Sequence, residues 1–127
     1  MVDHVYCINL EKRPDRRSKA IVEFKKNGIE NVEFFRGTDG RAEAPDGIFI
    51  SKPEYGCSDS HIRIWRDMVS NGYETALVFE DDVKILPNFN ESSIVGMPIY
   101  ANYTSNTFNY IENNIMSYIG INTENNT

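Results

Sequence analysis

At 127 residues the chain is a single small domain at most, and its 40% apolar and 25% charged residues match an ordinary globular protein. A formal charge of −6 argues against a phosphate-backbone binder, which needs a clustered excess of Lys and Arg, so no nucleic-acid partner is expected. No run approaches the roughly 18 apolar residues of a membrane span, and Met1 to His4 lacks a basic region leading into a long apolar stretch; the expectation is a cytoplasmic chain with no membrane span.

Val5 to Leu10 is a short apolar run of strand formers without alternation, the pattern of a central strand covered on both faces. Pro14 suits a first helical position, and Ala20, Ile21 and Phe24 form an apolar stripe ended by Gly28, which predicts a helix over about 15–27. Val32 to Arg36 reads as the next strand, and Gly37, Gly40, Pro45 and Gly47 break the chain into a loop. Strand, helix, strand implies a right-handed parallel unit. Ile62, Trp65, Met68 and Val69 then mark a second helix over Ser58–Ser70 with Gly72 as its stop, and Thr75 to Phe79 is another apolar strand. Beyond Phe89 the basic residues vanish and Asn becomes frequent, leaving only a weak helical period over Tyr110–Ile119. The expected division is an ordered part over 1–89 and a divergent tail over 90–127.

Glu80, Asp81 and Asp82 follow the third strand directly, at the carboxyl end where open α/β sheets bind ligands. Three adjacent carboxylates repel unless a cation or donors sit among them, and Mg²⁺ or Mn²⁺ would resolve the conflict with one or two carboxylates plus substrate phosphates. A solvated turn is the plainer account of the same residues. Asn9, Arg13 and Arg16 lie at the end of the first strand and the opening of its helix, where free N–H groups attract anions such as a diphosphate. Arg13, Arg16 and Arg17 are equally at home as solvated helix residues. Asp39, within Thr38-Asp39-Gly40, is placed to accept from a ribose hydroxyl or to make an Asx turn. Cys57 and His61 lie four apart across an expected loop-to-helix junction and need not touch, so no nucleophile–base pair is read from them. Without CxxC or Cys/His ligand spacing, Cys7 and Cys57 read as two reduced, partly buried thiols.

In order, Ile8-Asn9-Leu10, Arg13-Pro14-Asp15-Arg16-Arg17, Asp39-Gly40-Arg41, Gly56-Cys57 with Ser60-His61 and Trp65, and Leu77-Val78-Phe79-Glu80-Asp81-Asp82-Val83 form a series. Over roughly Val5 to Phe89 this series resembles glycosyltransferase family 25, which includes bacterial lipooligosaccharide galactosyltransferases and procollagen galactosyltransferases. Asp59 stands where that family usually has an apolar residue. The resemblance implies a GT-A-like, Rossmann-type α/β/α sandwich, here truncated and ending in an irregular Asn-rich tail. It also implies a UDP-hexose donor carrying galactose or glucose, a glycan or hydroxylysine acceptor, and a Mn²⁺ or Mg²⁺ ion. By the same resemblance Asp82 and Glu80 take the metal, Glu80 and Asp81 supply ribose or supporting contacts, Asp39 and Asn9 meet the nucleoside, and Arg13 or Arg16 meets the phosphates. No acceptor-activating base is identified. The alternative is a catalytically inactive remnant that at most binds nucleotide-sugar and metal.

Overall fold

The structure, a computed structural model, describes residues 2–85, so the 90–127 tail and the helical period over Tyr110–Ile119 lie outside the described residues. Three strands, β1 His4–Asn9, β2 Val32–Arg36 and β3 Ala76–Glu80, form a parallel sheet in the order β2-β1-β3. The first strand is therefore central, as its unbroken apolar run predicts. Helix α1 (Pro14–Lys26) joins β1 to β2, while a four-residue α2 (Gly40–Glu43) and the long α3 (Lys52–Asn71) join β2 to β3.

The pleat assigns the core to two faces. Tyr6 pairs with Glu33 and Val78, and Ile8 with Phe35 and Glu80, so these residues share one face. There Tyr6, Ile8, Phe35 and Val78 pack with Tyr55, Ile62, Trp65 and Met68 of α3. Trp65 is thus a core anchor, as its helical spacing predicts. The buried Tyr6 hydroxyl donates to Asp67 on α3 at 2.7 Å, which satisfies a polar atom that burial would otherwise penalise. On the opposite face Cys7 lies between Phe34 and Phe79 under Ala20 and Phe24 of α1. Each fully buried large apolar side chain contributes roughly 1.5–3 kcal/mol, so two helices burying opposite faces account for most of the drive to fold.

β1, α1, β2 and β3 match their sequence spans to within a residue, but the expected loop after β2 contains the short α2, and α3 begins six residues earlier than the expected Ser58. Ser51 is its N-cap, accepting from the Glu54 N–H at 3.3 Å, and the Ser51 hydroxyl donates to the Glu54 carboxylate at 2.9 Å. That side-chain N-cap, with Pro53 in the first turn, is a helix start that Gly56 obscured. Gly56 serves another purpose inside the helix. A side chain on it would come within 2.7 Å of the Thr38 carbonyl oxygen and 2.8 Å of the Gly40 nitrogen. The loop after β2 and the first turns of α3 therefore meet backbone to backbone. At the far end Gly72, with φ of 71°, closes α3 in the left-handed conformation, as its position predicts.

A Cβ on Gly40 would overlap the Lys52 carbonyl oxygen, a backbone atom that no rotamer change can move. Gly40→Ala is therefore expected to lower stability by about 1–3 kcal/mol, the range for overpacking a closed contact. Urea unfolding followed by circular dichroism tests this, and an unchanged midpoint would show that the two backbones part without cost.

Candidate functional site

A cleft of about 280 Å³ opens at the carboxyl ends of the strands, between the openings of α1, α2 and α3. Leu10 and Gly56 line it with Lys12, Arg16, Asp39, Arg41, Glu80, Asp81 and Asp82, so cations and acids face each other across it. Placement at this end of a parallel sheet is what the topology favours for a ligand.

The acid triplet does not act as one group. Glu80 ends β3 on the face covered by α3, and its carboxylate accepts a weak 3.9 Å hydrogen bond from the Cys57 thiol. Asp81 lies on the other side, where Asn9 Nδ2 donates to it at 2.9 Å and Arg16 approaches at 3.5 Å. Asp82 stays exposed at the cleft. The expected mutual repulsion is thus largely relieved by alternation along the chain and by an amide donor, before any cation is considered.

Asn9 is buried, and its amide also donates to the Arg13 carbonyl at 3.1 Å. It fastens the end of β1 to the start of α1 and to the turn after β3. This placement makes Asn9 a positioning residue beneath the cleft. Arg13 does not line the cleft; its guanidinium donates twice to Asp15, at 3.0 and 2.9 Å, and holds that carboxyl well below the usual range. Of the two expected phosphate-binding arginines, Arg16 alone faces the cleft.

Asp39 caps α2 by accepting from the Arg41 N–H at 3.2 Å, and it pairs with Lys12 at 2.8 Å. The Lys12 hydrogen bond is the main cause that lowers its pKa. The preceding Thr38 is fixed from α3. Its N–H donates to Ser60 Oγ at 2.8 Å, its hydroxyl donates to Asp59, and it receives Arg63 Nη1 at 3.1 Å. The departure at Asp59 thus has a use: the carboxylate holds the loop after β2. Lys12, Arg41 and Ser60 were missed by sequence reasoning. Arg41 and Ser60 lie within the quoted motifs and Lys12 adjoins one, but only the fold shows that they border the same space.

Because α3 starts at Lys52, Cys57 and His61 are one helical turn apart and not divided by a loop junction. With Glu80 they bring three ligand atoms within 4.8 Å of one another, which corrects the expectation that the pair need not meet. Cys57 is exposed, contrary to its expected partial burial; Cys7 is buried, its thiol pushed up to about 12 first by burial and then by Asp81, Asp82 and Glu80. Both are free thiols, as expected. Among the described residues no helix is long and apolar enough to cross a membrane.

The family model described as glycosyltransferase family 25 (LPS biosynthesis protein) matches residues 2–118, well past Phe89 where the recognisable motifs stop. A glycosyltransferase 25 family member of Aedes aegypti is 38% identical over 106 aligned positions, gaps included, an alignment that covers 69% of this chain and 17% of that protein. A procollagen lysyl hydroxylase and glycosyltransferase of Acanthamoeba polyphaga mimivirus is 32% identical over 131 aligned positions, gaps included, an alignment that covers 83% of this chain and 14% of that protein. A human protein named inactive glycosyltransferase 25 family member 3 is 33% identical over 104 aligned positions, gaps included, an alignment that covers 68% of this chain and 18% of that protein. The chain therefore spans less than a fifth of the length of these relatives. No solved structure matches it.

Removing the amide in Asn9→Ala leaves the nearly buried Asp81 carboxylate short of a donor, an expected loss of about 1–3 kcal/mol. Asn9→Asp should be worse at pH 7 than at pH 4, because it sets a second carboxylate against Asp81. Urea titrations at both pH values measure this. Equal stability of all three proteins at pH 7 would mean that the contact does not organise the strand ends.

Proposed function

The chain belongs to glycosyltransferase family 25, and on that premise we propose that it is the donor-binding part of a hexosyltransferase that uses a UDP-sugar. The reading rests on the cleft, where the cations of Lys12, Arg16 and Arg41 face the acids Glu80 and Asp82 across a space at the strand ends. A nucleoside diphosphate accompanied by a divalent cation presents the complementary mixture of charges. The GT-A-like Rossmann arrangement is part of the proposal, and the parallel sheet with helices packed on both faces is consistent with it.

Mg²⁺ and Mn²⁺ require only one or two protein carboxylates when phosphates complete their coordination. Exposed Asp82, with Glu80 beside it on the cleft wall, meets that requirement, whereas Asp81 is already engaged by Asn9 and Arg16. Bound there, a divalent cation supplies neutralisation of the departing diphosphate. Arg16 would add positive charge from α1, and Lys12 would turn from Asp39 toward a phosphate. Asp39 would then be released to accept from a ribose hydroxyl, with the Arg41 N–H still holding its other oxygen. An acceptor hydroxyl of a glycan or a hydroxylysine, and the hexose as galactose or glucose, complete the proposed reaction. The human relative named inactive favours a second reading, in which the chain binds the donor and transfers nothing.

Isothermal titration should show UDP binding that depends on Mn²⁺ and is weakened about tenfold or more in Asp82→Asn, with the unfolding transition preserved. Equal UDP affinity in chelator and in Mn²⁺ would refute the metal-assisted reading. A radiolabelled UDP-galactose and UDP-glucose assay then separates the two readings: transfer to a hydroxylysine peptide or oligosaccharide supports the first, and binding without transfer supports the second.

A further inference from the structure

We propose that Cys57, His61 and Glu80 form a second metal site, selective for a thiophilic divalent ion of the Zn²⁺ or Co²⁺ type, with an open coordination position toward the cleft. The proposal does not depend on the donor-binding reading, because the three ligands come together without any nucleotide.

Cys57 and His61 are four residues apart on α3, the spacing that presents two ligands on one helical face. Glu80 approaches from the end of β3, on the sheet face that α3 covers. Their ligand atoms lie within 4.8 Å of one another, with Cys57 Sγ and Glu80 Oε1 at 3.9 Å. Zinc bonds of roughly 2.0–2.3 Å at tetrahedral angles place ligand atoms about 3.4–3.6 Å apart. Closing the site therefore takes ångström-scale or smaller movements of side-chain ends, within the reach of rotamer changes of the exposed Cys57 and Glu80.

Donor chemistry decides the ion. Thiolate and imidazole select Zn²⁺ or Co²⁺ over Mg²⁺ and Mn²⁺, which prefer oxygen throughout. Coordination takes the neutral form of the imidazole, and His61 offers one ring nitrogen to the group. On coordination the Cys57 thiol loses its proton to solvent and binds as thiolate. Three protein ligands leave the fourth position open, the pattern of sites that accept a water or a substrate oxygen. Cys57 and Glu80 both border the cleft, so the open position would face an oxyanion held there. Glu80 is the residue shared with the proposed Mn²⁺ position, so occupancy by Zn²⁺ should compete with Mn²⁺-assisted nucleotide binding.

The test is titration of the full 127-residue chain, stripped with chelator and free of nucleotide, with Co²⁺ and then with Zn²⁺ as competitor. One equivalent of Co²⁺ should produce a near-ultraviolet thiolate-to-cobalt charge-transfer band that Zn²⁺ abolishes. Cys57→Ser should remove the band, and His61→Gln and Glu80→Gln should each weaken Zn²⁺ binding by about tenfold or more, with circular dichroism unchanged. Cys7→Ser, affecting the buried thiol on the opposite face, should keep the band. Absence of the band in the parent chain, its persistence in Cys57→Ser, or its loss in Asp82→Asn would overturn the assignment.

Discussion

The Asn9 side chain is the contact on which the cleft depends. One amide donates to the carbonyl that opens α1 and to the carboxylate that follows β3, so a single side chain at the end of the central strand sets the positions of both neighbouring segments. Buried amides are costly to leave unsatisfied and productive when paired, and this one is paired with a charged acceptor. Arg16 reaches Asp81 from α1 and Lys12 reaches Asp39 from the loop after β1, each across a distance set by that fastening.

The second organising constraint is the pleat. Consecutive residues of an extended chain point to opposite sides, so the step from Glu80 to Asp81 takes one carboxylate toward α3 and delivers the next to Asn9 and α1. A triplet that looks like one dense acidic cluster becomes three different environments. Glu80 meets a thiol, Asp81 meets an amide and a guanidinium, and Asp82 meets the open cleft. The cost falls on Cys7, buried one strand away, whose thiol is held protonated partly by these same charges.

Residues whose roles depend on local pattern were legible in the sequence. The central strand, the apolar stripe of α1, the glycine stop of α3 and the core position of Trp65 all follow from periodicity and capping chemistry. The cleft at the ends of β1 and β3 was legible too, because the acids directly follow an apolar run. What escaped depended on contacts across the chain. Gly56 reads as a loop residue in isolation, yet it lies inside α3, where Thr38 and Gly40 approach too closely for a side chain. That single misreading hid the meeting of Cys57 and His61. Arg13 was equally plausible as an anion ligand by position, and only the fold shows that it pairs with Asp15 and lies outside the lining of the cleft.

Two ion pairs border the cleft, Lys12–Asp39 and Arg16–Asp81, and their difference bears on how it would admit an anion. The Lys12–Asp39 pair is partly exposed, with the lysine side chain 58% accessible, and pairs of this kind contribute only about 0–1 kcal/mol. Exchanging such a partner for a phosphate oxygen costs little and gains a charge-assisted hydrogen bond. Asp81 is different, because just 10% of its side chain is accessible and it holds a buried amide as well as Arg16. Removing its partners would strand a nearly buried charge, so Asp81 is suited to remain in place while ligands come and go. The cleft thus combines a fixed acid with exchangeable pairs. Pre-formed pairs also keep Lys12 and Asp39 extended toward the cleft instead of folded into solvent, which reduces the ordering required when a ligand arrives.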